Sequence, residues 1–242
     1  FMVVAFGVGI NYLRVFGGHH IDLDKLVVPV TLLGQYHFNF VVWGDLITIL
    51  WIVLLINTLN FLDGLDGLAG GVSVIAAFSI FFLSMALSQW AVALLAIIFA
   101  GSVLGFLPWN FNQAKIFMGD SGSMFLGYML GVLSVISGGK LATAFLVLGI
   151  PLLDVLWVVL RRIFRGKSPF QADKLHLHHR LLKAGLSQRQ AVIMLYLIAL
   201  AFGIVAVSTG TTEKIQAVYW LLGLMGALVI ALIVLEWRKR AR

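Results

Sequence analysis

Apolar runs of about twenty residues recur along this chain, as at 68–87 and 141–160, and a helix of that length crosses a hydrocarbon core of roughly 30 Å. No soluble fold offers so many of these runs a place to hide. Only 11% of the 242 residues are charged and 61% are apolar, where a soluble domain carries about 25% charged residues. The mean hydropathy is +1.04. Lipid is therefore the solvent for most of the chain, and the expected class is an all-α polytopic integral membrane protein. The runs predict about eight membrane helices, at 1–16 (partial), 46–61, 68–87, 90–107, 121–136, 141–160, 190–207 and 215–236. Trp90, Trp109, Trp220 and Trp237 fall near the proposed ends, where an indole can sit in the interface.

If the spans alternate in direction, the connecting segments form two sets. One contains 63–67, 108–120, 161–189 and 237–242, and holds thirteen Lys and Arg residues; the other contains 17–45, 88–89, 137–140 and 208–214, and holds three. The positive-inside bias assigns the first set to the cytoplasm, so the net charge of +7 gathers on one face. For 238–242 the plain reading is topology and contact with anionic lipid. Nucleic acid is not an expected partner. The other face carries 17–45, where Val, Thr, Tyr and Phe around 29–42 suggest a short external β-hairpin. With no cysteine there is neither a disulfide framework nor a thiolate metal site. The chain opens on Phe1 without a basic n-region, and 1–16 reads as the tail of a helix that starts upstream. The expectation is one membrane-embedded domain over 1–242, N-terminally incomplete, with a histidine-rich cytoplasmic loop at 161–189.

The topology brings three polar constellations to the same side. The first, N-T-L-N-F-L-D-G-L-D-G-L-A-G-G at 57–71, places Asn57, Asn60, Asp63 and Asp66 at the ends of two spans. A turn accounts for the acids, with glycine available for positive φ. It accounts less well for Asn57 and Asn60, three apart at the edge of the apolar layer, where an unpaired amide costs a few kcal/mol. The second, K-I-F-M-G-D-S-G-S at 115–123, sets Asp120 just before a span. Helix capping explains that position, and so does Mg²⁺ bound beside a diphosphate, because Mg²⁺ needs only one or two carboxylates when phosphate supplies other oxygens. The third, S-P-F-Q-A-D-K-L-H-L-H-H-R-L-L at 168–182, groups Lys174, His176, His178, His179 and Arg180. These residues suit a cationic wall for phosphate oxygens; a surface loop without chemistry and a transition-metal site are the other readings, although the histidine spacing matches no zinc pattern. Asp154 stands apart, inside a span after Pro151, where a charge marks a functional candidate that could pair with a loop cation or line a lipid entrance.

Together, N-x-x-N-F-x-D-G-L-D-G-L-A-x-G at 57–71, F-M-G-D-S-G-S at 117–123 and H-L-H-H-R at 176–180 resemble the polyprenyl-phosphate N-acetylhexosamine-1-phosphate transferase family, with the motifs in its order over nearly the whole chain. Residues 168–189 are more similar to the undecaprenyl-phosphate GlcNAc-1-phosphate branch than to the phospho-MurNAc-pentapeptide branch. The resemblance implies transfer of N-acetylhexosamine-1-phosphate from a UDP-sugar to undecaprenyl phosphate with release of UMP. It implies Mg²⁺, with Mn²⁺ as a substitute, at Asp120, and Asn60, Asp63 and Asp66 on the nucleotide side, with Asn57 a further substrate-binding candidate. Phe117 would lie near the uracil, and His176, His178, His179, Lys174 and Arg180 near the phosphates or the reacting centre. A homodimer is compatible with it. The family's adjacent Asp-Asp pair has no counterpart here, which fits the expected upstream portion. A transporter with a polar vestibule is the alternative of a different class, though neither an internal repeat nor matched broken helices are visible.

Overall fold

The computed structural model describes residues 4, 9–10, 12–14, 20–32, 36–137, 141–164, 166 and 176–240. Short strands β1 (Tyr12–Arg14) and β2 (His20–Asp22) pair antiparallel, with Leu13 opposite Ile21. Strands β3 (Val27–Leu32) and β4 (Tyr36–Val41) pair likewise, with Val30 opposite Phe38. Most of the proposed span at 1–16 lies outside the described residues, but its last part is β1 rather than helix.

The helices are α1 (Val42–Leu62), α2 (Leu68–Ala86), α3 (Trp90–Asn110), α4 (Gly119–Ile136), α5 (Leu141–Val147), α6 (Gly149–Phe164), α7 (Leu177–Ala184), α8 (Gln188–Ser208) and α9 (Thr211–Arg240). Among the described residues six helices are long and apolar enough to cross a membrane, and the bent pair α5–α6 brings the number to at most seven. This is a multi-pass membrane protein. Leu50, Leu94, Ile98, Leu197 and Ile204 face outward from these helices, as hydrocarbon solvent requires.

The continuous span predicted at 141–160 is instead two helices bent by 83°. Pro151 supplies the cause, because its ring clashes with the carbonyl four residues earlier, that of Val147, the last residue of α5. The break leaves no orphan at Leu148. Its N–H donates to Ala144 at 2.9 Å and its carbonyl accepts from Leu152 at 2.8 Å, as low-dielectric surroundings demand.

Without a hydrophobic force between helices in lipid, close packing rests on small residues. Helices α1 and α4 run antiparallel and meet through one stripe. Trp51 Nε1 donates to Ser134 Oγ at 2.8 Å; a Cβ on Gly131 would meet Ile52 at 3.2 Å, and one on Gly127 would meet the Leu55 carbonyl oxygen at 2.5 Å. One more turn along this register puts Asn60 beside the start of α4. Helix α2 lies at the centre, with Gly71 under Tyr196 of α8 and Ser79 against Gly203 of the same helix, so α2 and α8 run parallel. Leu55, Leu59, Leu68, Ile80, Leu130, Leu133, Leu148 and Leu152 bury their side chains in one core. Helix α8 opens on a capping box in which Ser187 Oγ accepts from Gln190 N–H and Gln190 Oε1 accepts from Ser187 N–H at 2.9 Å.

Candidate active site

The end of the bundle opposite the strands collects the polar motifs. The α1–α4 stripe delivers Asn60 Nδ2 to Asp120 Oδ1 and Ser123 Oγ, each at 3.1 Å. Asn60 thus joins the first motif to the second. Asn57 does not share this bond; exposed, it donates to the Val53 carbonyl of its own helix at 2.7 Å.

The two glycines of the turn act for different reasons. Gly67 has φ +80°, a left-handed conformation that side chains disfavour, and a Cβ there would meet Phe111 at 2.8 Å. Gly64 is needed for space: a Cβ on it would lie 2.5 Å from His178 Nε2. The histidine helix therefore rests directly on the acidic turn. The turn is held from below as well. Asp66 Oδ2 accepts from Ala114 N–H at 3.0 Å, Asn110 Oδ1 accepts from Gly67 N–H at 3.0 Å, and Asn110 Nδ2 donates to the Ile116 carbonyl at 3.0 Å. Tyr196 donates its hydroxyl to the Gly67 carbonyl.

Asp63, at the end of α1, has its carboxyl pushed up to about 6, by burial first and then by the charges of Asp120 and Asp66. Asp120 and Asp66 are thus close enough to Asp63 to disfavour its charge. Asp120 is exposed, with one oxygen engaged by Asn60, and Phe117 stands out at 78% exposure. Lys115 Nζ lies 5.5 Å over the Trp109 ring.

On the other wall, His176 and His178 are buried and their rings are parallel within 2°, centroids 5.8 Å apart. His179 is tilted against His178 at 4.3 Å. Burial lowers the His178 imidazole to about 3, with help from His179 and His176, so this ring is neutral at physiological pH. Arg180 is half-buried one residue further along α7. Lys174 lies outside the described residues. Asp154 pairs with a loop residue after all: its Oδ2 is 3.0 Å from His176 Nδ1, and its Oδ1 accepts from Leu177 N–H at 3.0 Å.

Sequence reasoning did not single out Asn110 or Tyr196. The signals were there, a buried amide just after Pro108 and a hydroxyl in an otherwise apolar helix, but neither sits in a recognisable pattern. Among the described residues no three His, Asp or Glu side chains are grouped to hold a metal ion by themselves. The acidic set does suit an ion whose shell is completed by phosphate and water.

The chain is thus a lipid-embedded helical bundle that presents clustered acids and histidines at one end. The model of Glycosyl transferase family 4 matches residues 2–138, more than half of the chain, and the chain belongs to that family. It is 44% identical over 168 residues to a Bacillus subtilis (strain 168) protein named "Probable undecaprenyl-phosphate N-acetylglucosaminyl 1-phosphate transferase", covering 66% of this chain and 47% of that one. It is 39% identical over 221 residues to the decaprenyl-phosphate N-acetylglucosaminephosphotransferase of Mycolicibacterium smegmatis (strain ATCC 700084 / mc(2)155), covering 78% and 52%. An undecaprenyl-phosphate alpha-N-acetylglucosaminyl 1-phosphate transferase of Haemophilus influenzae (strain ATCC 51907 / DSM 11121 / KW20 / Rd) is 35% identical over 122 residues, covering 46% and 33%. The chain spans about half the length of the first two of these relatives.

Proposed function

We propose that this chain forms the donor-binding and histidine side of an enzyme that transfers GlcNAc-1-phosphate from UDP-GlcNAc to undecaprenyl phosphate, releasing UMP. The product is a lipid diphosphate-linked sugar for surface glycan synthesis. What carries the reading is the meeting of Asp63, Asp120 and His178 at one end of a membrane bundle, in a chain whose relatives are named for this transfer.

The physical logic is one of solvent. A polyprenyl phosphate keeps its tail in hydrocarbon and its phosphate at the surface, whereas a nucleotide sugar stays in water, so the two meet only at the ends of helices. We place that end in the cytoplasm, where the basic segments lie. Mg²⁺ held by Asp120, with Asp63 or Asp66 beside it, would offset charge on the donor diphosphate. Asn60 fixes the Asp120 carboxylate, the glycine turn fixes Asp63 and Asp66, and His178, His179 and Arg180 form the wall facing them.

The test is UMP release by the protein from its complete reading frame in nanodiscs. Release that requires both UDP-GlcNAc and undecaprenyl phosphate, with the lipid product identified by mass, supports transfer; sugar uptake into vesicles without UMP would favour a transporter. In a form of that protein whose other cysteines, if any, are replaced, single cysteines at Lys115 and Lys183 report the orientation by labelling in sealed vesicles.

A further inference from the structure

Asp154 is a carboxylate in the apolar core, 8% exposed, and no role assigned to the acidic turn or the phosphate wall uses it. Both of its oxygens are engaged by the segment that starts the histidine helix. Oδ1 accepts from Leu177 N–H, the first N–H of α7, and Oδ2 faces His176 Nδ1, both at 3.0 Å. Capping α7 would require only the first of these. A carboxylate oxygen accepts and does not donate, so the second places a proton on Nδ1, which in the neutral ring leaves Nε2 as the acceptor. His176 is the residue before α7, with extended backbone (φ −60°, ψ 148°), and its other contacts are flat ones. Its ring stacks on Phe61 at the end of α1, centroids 5.3 Å apart and planes 24° apart, and lies parallel to His178. His178 Nε2 in turn sits over Gly64. The break at Leu148 supplies the remaining geometry, because α6 leaves the line of α5 there and carries Asp154 to the underside of α7.

We propose that Asp154 is a positioning residue, which acts through His176 to fix that ring's tautomer and to seat His178 on the acidic turn. The inference rests on the transfer reading for its kinetic consequence and on the hydrogen bonds alone for its tautomer. Replacing Asp154 with Asn keeps the shape and an acceptor for Leu177 N–H, but allows the amide to donate to Nδ1 and so reverses the ring's proton placement. Loss of a carboxylate that orients a functional histidine lowers activity about 10- to 100-fold.

The experiment takes the protein from its complete reading frame in nanodiscs and compares wild type, Asp154→Asn, Asp154→Glu, His176→Gln and the Asp154→Asn/His176→Gln double variant. Expected is a kcat about 10- to 100-fold lower for Asp154→Asn with KM for UDP-GlcNAc unchanged, partial recovery in Asp154→Glu, and no further loss when Asp154→Asn is added to His176→Gln. In ¹⁵N-histidine NMR spectra, the His176 resonance, assigned by its disappearance in His176→Gln, reports the Nδ1–H tautomer in wild type and loses it in Asp154→Asn. An unchanged kcat in Asp154→Asn, or losses that multiply in the double variant, overturns the proposal. A wild type that releases no UMP sinks the transfer reading instead, and the spectrum then decides alone: the Nδ1–H form, lost in Asp154→Asn, upholds the positioning role, and an Nε2–H form in wild type ends it.

Discussion

The two walls of the candidate site are held in different ways. The acidic wall, from Asn60 to Gly67, is tied down by α3, α4, α8 and the loop before α4, through Asn110, Ala114, Tyr196 and Asp120. The histidine wall receives two bonds from one carboxylate, Asp154, makes ring contacts with Phe61 and among the histidines, and buries Leu177 and Leu181 in the core. The acidic wall takes its ties from several elements, whereas both carboxylate bonds to the start of the histidine helix come from one residue.

The largest effect expected on the acidic wall falls on chemistry rather than structure. Asp120→Asn should lower kcat by about 100-fold or more while helix content by circular dichroism and membrane insertion stay as in wild type. Near-normal turnover with unchanged Mg²⁺ dependence would remove Asp120 from the metal role. Next comes the packing that delivers Asn60 to Asp120. Gly127→Leu drives a side chain into the α1 backbone, where even a Cβ would lie 2.5 Å from the Leu55 carbonyl oxygen, and overpacking of this kind costs about 1–3 kcal/mol or more. Its melting temperature in detergent should fall clearly, and turnover with it; an unchanged melting curve would mean that the stripe is not in contact.

Redundancy can be probed by taking away one tie. Tyr196→Phe removes the hydroxyl's bond to the Gly67 carbonyl and its backbone bond with Gly71, and should cost about 0.5–1.5 kcal/mol with little change in kcat, since Asn110 still holds the Gly67 N–H. A collapse of activity in that variant would show that the acidic wall is no better secured than the histidine wall. The smallest effects, and the sharpest contrast, concern pH. Asp63 keeps its proton in the folded protein up to about 6 against a reference of 3.8. The folded state then binds more protons between these values, and the turn loses stability as pH rises through that window. His178 stays neutral down to about 3 against 6.5, so there the undocked state binds more protons and α7 loses stability as pH falls. Hydrogen exchange at pH 5 and pH 7, corrected for intrinsic rates, should find α7 less protected at pH 5 relative to the 63–67 turn. Equal changes in both would remove the contrast.

How much of this was legible beforehand follows from the range of each interaction. Helix α9, predicted at 215–236, and α3, predicted at 90–107, appear close to their expected places because a long apolar segment in lipid must close its own backbone bonds whatever its neighbours do. The segment at 141–160 misled because hydropathy does not register direction. Pro151 was visible, but whether it kinks or redirects a helix depends on what packs beside it, and here Gly149 lets Leu221 of α9 approach to a point a Cβ would find at 2.1 Å. In the site, the acids and histidines announced themselves by type and spacing. Asn57 did not join the cluster as Asn60 did, since only Asn60 continues the α1–α4 stripe.

By itself, then, the sequence determined the solvent of this protein, the approximate positions of its long helices and the kinds of side chain gathered at one end, because transfer into lipid is summed locally along the chain. Only the tertiary structure decided that Asn60 meets Asp120 across sixty residues, that Gly64 yields room to His178 while Gly67 turns the backbone, and that Asp154 belongs to His176. Those pairings depend on helix register and on the direction taken after a break, and register is a property of two packed surfaces that neither strand of sequence contains alone.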